Sequence, residues 1–309
     1  MQTPFFTVII PTFNRAEILD RNLEALNKQT IPQSEIQIIV VNDGGNDKTD
    51  EVTSKWSKIF KNLKYIKQQN LGQGIARNNA LKYAEGELIL FIGDDIILEE
   101  NALEEHRKIH EKHPELNVAV LGFTTWHPEI KVTPFMKWLT EGRKGGPQFA
   151  YDMLENKKTA DYRFFYTSNL SLKKSILVKH QFDPDFKNYG WEDIELGYRL
   201  TKKENLKIYY NKSAIGYHYH EIDESSLEHR MISIGKSAKI FQKKHPELKI
   251  LPSQYKKIIF QVITSTPFLT FVKIVNKNFY YYCLSKKFFL KGIESSSSIT
   301  PHGIITLEK

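Results

Sequence analysis

The chain has 309 residues, of which 40% are hydrophobic, enough for a sizeable core in one large domain or two smaller ones. Its net charge of +8 lies at one end, because residues 1–247 hold 35 Lys and Arg against 34 Asp and Glu, whereas residues 248–293 hold eight Lys and no acid. This distribution excludes a general nucleic-acid-binding surface on the body and suggests an anionic partner, such as a membrane, for the C-terminal segment.

The single cysteine, Cys283, excludes an internal disulfide framework and fits a reducing compartment. The first residues lack a basic region, and their short apolar run ends at Pro11. We therefore expect a strand at the N-terminus and no signal peptide.

The first half of the chain alternates between strand and helix patterns. Strands are predicted at 5–10, 36–41, 63–67, 87–92 and 117–123, and amphipathic helices between them at 16–29, 48–60, 74–85 and 100–113. This order predicts an α/β fold with a mostly parallel sheet and helices on both faces. In such sheets ligands bind beyond the carboxyl ends of the strands.

The alternation stops after about residue 125. Residues 126–165 contain prolines, glycine pairs and aromatic residues. This composition predicts a long, partly helical insertion, which we call the excursion. Short strands are then expected at 167–172, 207–211 and 214–220, and helices at 191–203 and about 223–244.

Four loops follow strands of the predicted sheet and should open on one edge. Asp94 and Asp95 directly follow a buried strand, where a divalent cation would relieve their repulsion, although a helix cap is the simpler alternative. Asp43 is either a turn residue or an acceptor for a nucleobase or ribose. The stretch Asn70-Leu71-Gly72-Gln73-Gly74 leads into a helix N-terminus, which suits phosphate. Arg77 adds a cation there, or simple surface charge.

Two pairs of histidines are spaced for metal binding. His106 and His110 lie four residues apart among charged residues, so a solvated helix face is expected. His218 and His220 alternate at strand spacing, and one of them could complete a metal site or serve a structural role.

The stretch GWEDIELGYRL, residues 190–200, places Glu192, Asp193 and Glu195 behind Trp191. These carboxylates either cap a helix or face the other acidic pair across a pocket. Glu195 is interpreted as structural, because Arg199 four residues later can pair with it.

Taken in order, these motifs resemble glycosyltransferase family 2. The resemblance rests on VIIPTFNR, VVNDGG, NLGQGIARNNA, FIGDD, YGWEDIELGYRL and the histidines at 218 and 220, and it spans about residues 5–245. It implies the GT-A fold, a Rossmann-like and mostly parallel sheet with helices on both faces. The implied organisation is a catalytic domain at 1–222 with a nucleotide-binding half (1–124) and an acceptor half (125–222), a basic, aromatic helical extension at 223–293 and a flexible tail at 294–309.

The family implies an inverting transfer of a sugar from a nucleotide-sugar, commonly a UDP-sugar, to an acceptor hydroxyl in cell-surface glycan biosynthesis, with Mn²⁺ or Mg²⁺. The metal would lie on Asp95 with His218, or with His220 instead. Asp193 would be the general base, with Glu192 supporting it or binding acceptor hydroxyls. The implied donor-binding residues are Pro11, Thr12, Asn14, Arg15, Asp43, Asn70, Gly74, Arg77 and Asp94.

Two further residues are candidates for the acceptor or sugar pocket. Asn169 could bond a substrate hydroxyl or merely satisfy a turn, and Trp191 could wall the pocket or belong to the core. One departure concerns Gly93, where many relatives carry an acid, so the choice between Asp94 and Asp95 as direct ligand stays open.

Three other functions compete with this one. A non-catalytic nucleotide-sugar-binding protein would need damage at Asp95 or Asp193, which are intact. A nucleotidyltransferase usually has a glycine-rich loop after strand one, which PTFNRAE lacks, and an oxidoreductase would need a G-x-G-x-x-G motif there.

Residues 255–293 are aromatic, apolar and basic, but their longest uncharged stretch, Ile258 to Val272, has 15 residues and contains Pro267. A spanning helix needs about 20 residues. The pattern favours an interfacial segment whose lysines meet anionic lipid, over a single pass or a helical hairpin packed on the body or in an oligomer. We therefore expect a cytoplasmic protein at the inner face of the cytoplasmic membrane, acting on a glycan or lipid-linked acceptor.

Overall fold

The computed structural model describes residues 4–146, 148–187 and 189–295. Of the predicted tail at 294–309, only the first two residues fall within this range, and residues 296–309 lie outside it. Whether the chain divides into domains at residues 222 and 293 stays a prediction.

The described residues form one sheet with helices around it. The strands are β1 (Phe6–Thr12), β2 (Ile36–Asp43), β3 (Leu63–Gln68), β4 (Leu88–Ile92), β5 (Ile96–Leu98), β6 (Val118–Trp126), β7 (Thr159–Ala160), β8 (Asn169–Lys173) and β9 (Lys207–His218). The helices are α1 (Ala16–Asn27), α2 (Thr49–Ser57), α3 (Gln73–Leu81), α4 (Ala102–Lys112), α5 (Pro134–Thr140), α6 (Lys174–Lys179), α7 (Glu192–Glu204), α8 (Ser226–Lys244), α9 (Gln254–Ile263), α10 (Thr266–Val275) and α11 (Lys277–Glu294).

The predicted α/β class is confirmed, and the elements of the first half lie within a few residues of their predicted bounds. Three short elements, β5, β7 and α6, were not predicted, because runs of two to six residues carry too little periodicity. The two strands expected at 207–211 and 214–220 are one strand, β9, whose pairing with β6 shifts register between Gly122 and Phe123. Lys212 and Ser213, at the centre of β9, lie beside this irregularity and are solvent-exposed.

The strand order is β3-β2-β1-β4-β8-β6-β9-β5, with β7 paired to β9. Strands β3, β2, β1 and β4 are mutually parallel. Strand β8 is antiparallel to both β4 and β6, and β6 is parallel to β9. Strands β6 and β9 therefore run in the same direction as β1–β4, and all six end at the same edge of the sheet.

Helices cover both faces of this sheet. The strands β1, β2 and β4 are buried along their whole length, as expected of a two-sided sheet. Alternate residues face opposite sides, so Ile9 packs into one apolar layer with Ile39 while Val8 and Ile10 pack into the other. The sheet is thus held between two apolar layers, and the loops that follow the parallel strands lie at the edge where these strands end.

The solvated face expected for His106 and His110 is wrong. Both side chains are buried against β8, where His106 is hydrogen-bonded to Ser171 at 2.8 Å and to Asn169 at 2.9 Å, and His110 to Ser171 at 2.9 Å. Burial lowers the pKa of His106 to about 4 and that of His110 to about 3. The histidines are thus neutral, internal hydrogen-bonding groups.

The C-terminal helices divide into a packed part and an exposed part. Helix α11 crosses α8 where Gly235 and Gly292 meet, and a Cβ on Gly292 would lie 2.3 Å from the carbonyl oxygen of Ile232. The ring of Tyr281 lies 5.0 Å from that of Phe135 in α5. Helices α9 and α10 are mostly exposed. No single helix in the described part of the chain has the length and apolarity to cross a membrane, although α9 and α10, bent by 65°, meet these criteria as a pair.

Candidate active site

The acidic pair after β4 forms a compact charged cluster with residues that follow β1. Thr12 Oγ1 donates a hydrogen bond to Asp94 Oδ2 at 2.8 Å. Arg15 Nη1 lies 3.1 Å from Asp94 Oδ1 and 2.8 Å from Asp95 Oδ2, so one guanidinium bridges both carboxylates. Burial raises the pKa of Asp94 to about 6, and the charge of Arg15 opposes this rise. The cluster joins two neighbouring parallel strands at the sheet edge.

Asp95 faces the end of β9. His218 Nε2 lies 3.5 Å from Asp95 Oδ2, and the backbone N–H of Tyr219 donates to the Asp95 carbonyl at 2.7 Å. Although burial alone would raise the pKa of Asp95, His218, Arg15 and His220 hold it below its usual range. Burial lowers the pKa of His218 and of His220, which favours the neutral imidazole that can act as a ligand.

Asp95 and His218 form a donor set that fits a divalent cation. Within the described ranges no group of three or more His, Cys, Asp or Glu side chains is arranged to hold a metal. Mg²⁺ and Mn²⁺ commonly take one or two protein ligands and complete their shell with water and substrate phosphates. The buried Nδ1 atom of His218 has no hydrogen-bond partner among the residues described.

Asp43, at the end of β2, holds the glycine-rich loop that follows β3. Its carboxylate accepts hydrogen bonds from the backbone N–H of Leu71 and of Gly72, both at 2.9 Å, and from Gln68 Nε2 at 2.7 Å. Gly72 has a φ of +94°, a conformation that favours glycine. The carboxylate therefore fixes the loop and keeps part of its acceptor capacity for a ligand.

The other residues predicted to bind the donor lie along the same edge. Pro11 is buried at the end of β1, whereas Asn14 and Asn70 are exposed. Asn14 has a φ of +53°, and its Oδ1 accepts from the backbone N–H of Asn46 at 2.8 Å. Gly74 packs against Phe182, where an added Cβ would lie 3.2 Å from the Cβ of that residue.

Arg77 is buried one turn into α3. Its guanidinium carbon lies 5.9 Å from the ring centre of Phe91 and 5.5 Å from that of Phe182, and its Nη2 donates to Gln73 at 3.0 Å. Its Nε and Nη1 atoms are buried without a hydrogen-bond partner in the described part of the chain. Burial lowers the pKa of Arg77, while Glu192 and Asp193 stabilise its charge. A buried cation with unused donors suits a phosphate ligand.

Glu192 and Asp193 form the first turn of α7, which begins after Gly190 and Trp191, both with positive φ. Burial, together with the charge of Asp193, raises the pKa of Glu192 to about 7. Burial also raises the pKa of Asp193, whose Oδ1 accepts from the backbone N–H of Ile194 at 2.8 Å. Glu192 Oε2 is buried with no partner among the described residues. Such environments are typical of catalytic acids and bases.

Aromatic residues connect the two acidic clusters. The ring of Phe149, in the excursion, lies 5.8 Å from His218 and 6.1 Å from Tyr166. The pKa of Tyr166 is raised mainly by burial and also by the negative charge of Asp193. The two clusters therefore share one side of the sheet edge, with the excursion beside them.

The two candidates for the acceptor pocket, Asn169 and Trp191, both make contacts inside the protein. Asn169 is fully buried, and its Nδ2 donates to the Ala214 carbonyl at 2.9 Å while Oδ1 is bonded to His106. Its amide is bonded within the protein, and its assignment to the acceptor pocket stays a prediction. Trp191 packs its ring 5.2 Å from Phe241 of α8, in agreement with the core alternative, and Nε1 is buried without a partner in the described ranges.

Glu195 fills the structural role expected of it. Arg199 Nη2 lies 2.8 Å from Glu195 Oε2, and His245 Nε2 lies 3.1 Å from Glu195 Oε1. Arg230 was missed by sequence reasoning. It donates to Gln148 Oε1 at 2.6 Å and to the Tyr189 hydroxyl at 3.0 Å, and its charge acts on His218 and His220. It lies in a helix without a recognisable motif, so nothing in the sequence marks it.

Known proteins of one family are similar to this chain. The model of the family described as "Glycosyl transferase family 2" matches residues 7–177, more than half of the chain. Validoxylamine A glucosyltransferase of Streptomyces hygroscopicus subsp. jinggangensis is 28% identical over 275 residues, covering 79% of this chain and 62% of that protein. The minor teichoic acid biosynthesis protein GgaB of Bacillus subtilis is 27% identical over 287 residues, covering 85% and 30%. The chain thus spans less than two thirds of the length of these relatives.

Solved structures share the fold. The mannosyltransferase PcManGT of Pyrobaculum calidifontis, in complex with GDP-Man and Mn²⁺, has a TM-score of 0.64 and 16% identity, with 94% of this chain and 86% of that chain covered. S. aureus TarS 1–349 in complex with UDP has a TM-score of 0.54 and 18% identity, with 93% and 91% covered. The predicted GT-A fold is confirmed, and the chain belongs to glycosyl transferase family 2.

Proposed function

We propose that the protein transfers a sugar from a UDP-sugar to an acceptor hydroxyl with inversion at the anomeric carbon, in the synthesis of a cell-surface glycan. The observation that supports this proposal is a pair of largely buried acidic clusters, each with its own cation, that are linked through the rings of Phe149 and Tyr166. Asp94 and Asp95 form ion pairs with Arg15. Glu192 and Asp193 interact electrostatically with Arg77. The carboxylates of the first cluster suit a metal ion that would bind the diphosphate, and those of the second suit the attacking hydroxyl.

The donor would lie along the loops after β1, β2 and β3. Asp43, Thr12, Asn14 and Asn70 surround the position of the nucleobase and ribose in this proposal. The unused Nε and Nη1 atoms of Arg77 would bind the diphosphate, because a charged guanidinium forms strong, directional hydrogen bonds to phosphate oxygens. UDP as the nucleotide is supported by the TarS structure in complex with UDP, whereas PcManGT was solved with GDP-Man.

Asp193 would act as the general base, removing the proton of the acceptor hydroxyl as the new glycosidic bond forms. General base catalysis contributes about 10²–10⁴-fold to a rate. Glu192, with a pKa raised to about 7 by burial and by Asp193, would share the proton or bind another acceptor hydroxyl. The hydroxyl attacks from the side opposite to the diphosphate, so the anomeric configuration inverts without a covalent intermediate.

Asp95 and His218 would hold Mn²⁺ or Mg²⁺, with His220 as the alternative to His218. When bound, this ion neutralises charge on the departing diphosphate. Arg15 already bridges Asp94 and Asp95, so it would keep the two carboxylates in place. Arg15 and the ion would then both balance the negative charge of these carboxylates.

We also propose that the protein acts at the inner face of the cytoplasmic membrane on a glycan or lipid-linked acceptor. Support comes from the lysine-rich segment 255–293 and from one relative, GgaB, which is named as a minor teichoic acid biosynthesis protein. The acceptor side of the site would be formed by the excursion at 126–165, which carries Phe149.

A thermal-shift panel of UDP, GDP, CDP, dTDP and ADP, each with and without Mn²⁺, tests the donor and the metal together. A ligand at about a hundredfold its Kd stabilises the folded state by about 2.7 kcal/mol. We expect a shift with UDP that requires Mn²⁺ and is lost in Asp95→Asn. The matched control is Asp161→Asn, an exposed carboxylate paired with Arg163.

The outcomes separate the alternatives. A rise in unfolding temperature with another nucleotide, of the same size with and without Mn²⁺, would contradict a UDP-sugar as the donor and Asp95 as the metal ligand. The absence of any nucleotide response, combined with no release of nucleoside diphosphate from a panel of nucleotide-sugars, would contradict glycosyl transfer and favour a non-catalytic role.

A further inference from the structure

Helices α9 and α10 are apolar but poorly covered by the rest of the protein. Helix α9 has no buried residue, and α10 buries only Leu269 and Val272. Ile274 is 84% exposed and Val275 is 65% exposed, values far above those expected of aliphatic side chains in a folded protein. Two adjacent helices therefore present apolar surface to the outside.

This surface has helical periodicity. Positions 255, 258 and 262 recur at intervals of three and four residues, as do 271, 274 and 275, so each helix shows one apolar face. The two helices meet at a bend of 65°. We call the surface the elbow face, and define it by the exposed side chains of Tyr255, Ile258, Val262, Phe271, Ile274 and Val275.

Positive charge accompanies the elbow face, although Lys277 and Lys291 of α11 are paired with Glu224 and Glu228. Lys256 and Lys273 are exposed on the same two helices, and residues 248–293 contain eight Lys and no Asp or Glu. Apolar faces on helices that also carry lysines are the composition of helices that lie in the interface of a membrane with anionic lipid. A protein partner would require an unusually acidic surface, whereas each lysine near an anionic bilayer contributes favourably.

We propose that the elbow face is a membrane-docking surface, which inserts its six apolar side chains at the headgroup level of a bilayer containing anionic phospholipid. It deepens the membrane association in the proposed function by naming the surface that makes the contact. Because docking needs neither donor nor catalysis, its success or failure is independent of sugar transfer.

The structure also explains how docking would orient the protein. Helix α10 continues into α11 after Asn276, and α11 packs on α8 through Gly235 and Gly292. The side chain of Tyr281 in α11 reaches the excursion beside the candidate site. A bilayer held by α9 and α10 would therefore lie near the part of the protein proposed to receive the acceptor.

Vesicle cosedimentation of the full chain tests the proposal. We expect binding to vesicles of phosphatidylcholine with phosphatidylglycerol, weak binding to phosphatidylcholine alone, and release by high salt. The double variant Val262→Asp/Ile274→Asp should lower the partition coefficient by about 100-fold or more, because each buried aliphatic side chain contributes about tenfold or more. Replacing Lys256 and Lys273 by Gln should lower it about fivefold per residue.

A matched control comes from the body of the protein. Leu116 is 61% exposed and Val178 is 59% exposed, close to the 59% of Val262. The double variant Leu116→Asp/Val178→Asp should bind vesicles as the wild type does. Thermal unfolding and the UDP response of every variant check that the fold and the donor site are retained.

Three results would overturn the proposal. Equal binding to both kinds of vesicle, or binding unchanged in Val262→Asp/Ile274→Asp, would exclude docking through this surface. Extraction by detergent but not by salt would indicate an inserted segment in place of a docked one. Self-association that disappears in the same variant, without vesicle binding, would identify a second copy of the chain as the occupant.

Discussion

The imidazole of His218 lies with its Nε2 atom 3.5 Å from Oδ2 of Asp95, so the end of β9 meets the acidic pair that follows β4. If these two side chains hold the metal, Asp95→Asn and His218→Ala should each lower the affinity for Mn²⁺ in the presence of UDP by about 100-fold or more, since even residues that only orient ligands contribute 10–100-fold. Calorimetric titration of Mn²⁺ into the UDP-saturated protein measures this. His229→Ala, at an exposed position of α8, should leave the affinity unchanged. A wild-type affinity in either site variant would contradict the assignment.

The role of Asp193 as general base predicts a loss of rate without a loss of donor binding. Asp193→Asn keeps the shape of the side chain but removes the basic oxygen, so kcat should fall by about 10²–10⁴-fold. Release of nucleoside diphosphate in the presence of acceptor measures kcat, and the thermal response to UDP with Mn²⁺ reports donor binding. Glu195→Gln, whose carboxylate pairs with Arg199, should affect stability more than kcat. A kcat within a few fold of the wild type would identify another base.

Arg77 is enclosed by the rings of Phe91 and Phe182, with two donor atoms unused in the described part of the chain. Arg77→Lys keeps the positive charge but removes the planar set of donors. We expect the affinity for UDP to fall by about 10–100-fold, as for the loss of one or two charge-assisted hydrogen bonds. Arg163→Lys, on an exposed pair with Asp161, is the control. Calorimetry with UDP measures both, and equal affinities would place the diphosphate elsewhere.

The raised pKa of Glu192 predicts that the contribution of this side chain to the free energy of unfolding decreases as the pH rises. Its pKa is raised from 4.5 to about 7 by burial and by Asp193, so between these values the folded protein binds a proton that the unfolded chain has released. The contribution is complete below pH 4.5 and lost as the pH rises through about 7. Glu192→Gln stays neutral at every pH. The free energy of unfolding of the wild type relative to this variant should therefore fall by up to about 3 kcal/mol over that range. Parallel urea-unfolding profiles would contradict the raised pKa.

The lowered pKa of His106 predicts that the contribution of this side chain to the free energy of unfolding increases as the pH rises. Burial lowers its pKa from 6.5 to about 4, so the unfolded chain binds a proton that the folded protein does not. Its contribution is complete above pH 6.5 and lost as the pH falls through about 4. His106→Gln cannot gain this charge, so its stability should fall less steeply on acidification than that of the wild type, by up to about 3 kcal/mol. An unchanged slope would mean that His106 is not a buried neutral group.

Much of the fold could be predicted from the sequence because the signals are local. Continuous apolar runs marked β1, β2 and β4, and parallel strands bring their ends to one edge. The loops holding Thr12, Asp43 and Asp94 could therefore be grouped by sequence pattern alone. Strand β9 could be placed at that edge only through its pairing, since β8 reverses direction between β4 and β6.

The remainder depended on contacts between distant residues. Helix α4 is rich in charge, which hid the fact that its inner face buries His106 against Ser171 in β8. Asn169 sits in a motif that suggests a pocket, yet its amide is used by Ala214 and His106. Arg230 and Gln148 are bonded across 82 positions of sequence, a separation at which no short pattern carries information.

The contact of the Tyr281 ring with the rings of Phe135 and Trp138 has a mechanical consequence. Helix α11 supports the excursion through these rings, and only Asn276 separates it from α10. A force applied to α10 would therefore reach the wall nearest Phe149, while the loops of β1, β2 and β3 are fixed in the parallel half of the sheet. If the elbow face docks as proposed, a displacement of α10 by the bilayer would be transmitted to the excursion and not to the loops that are proposed to hold the donor.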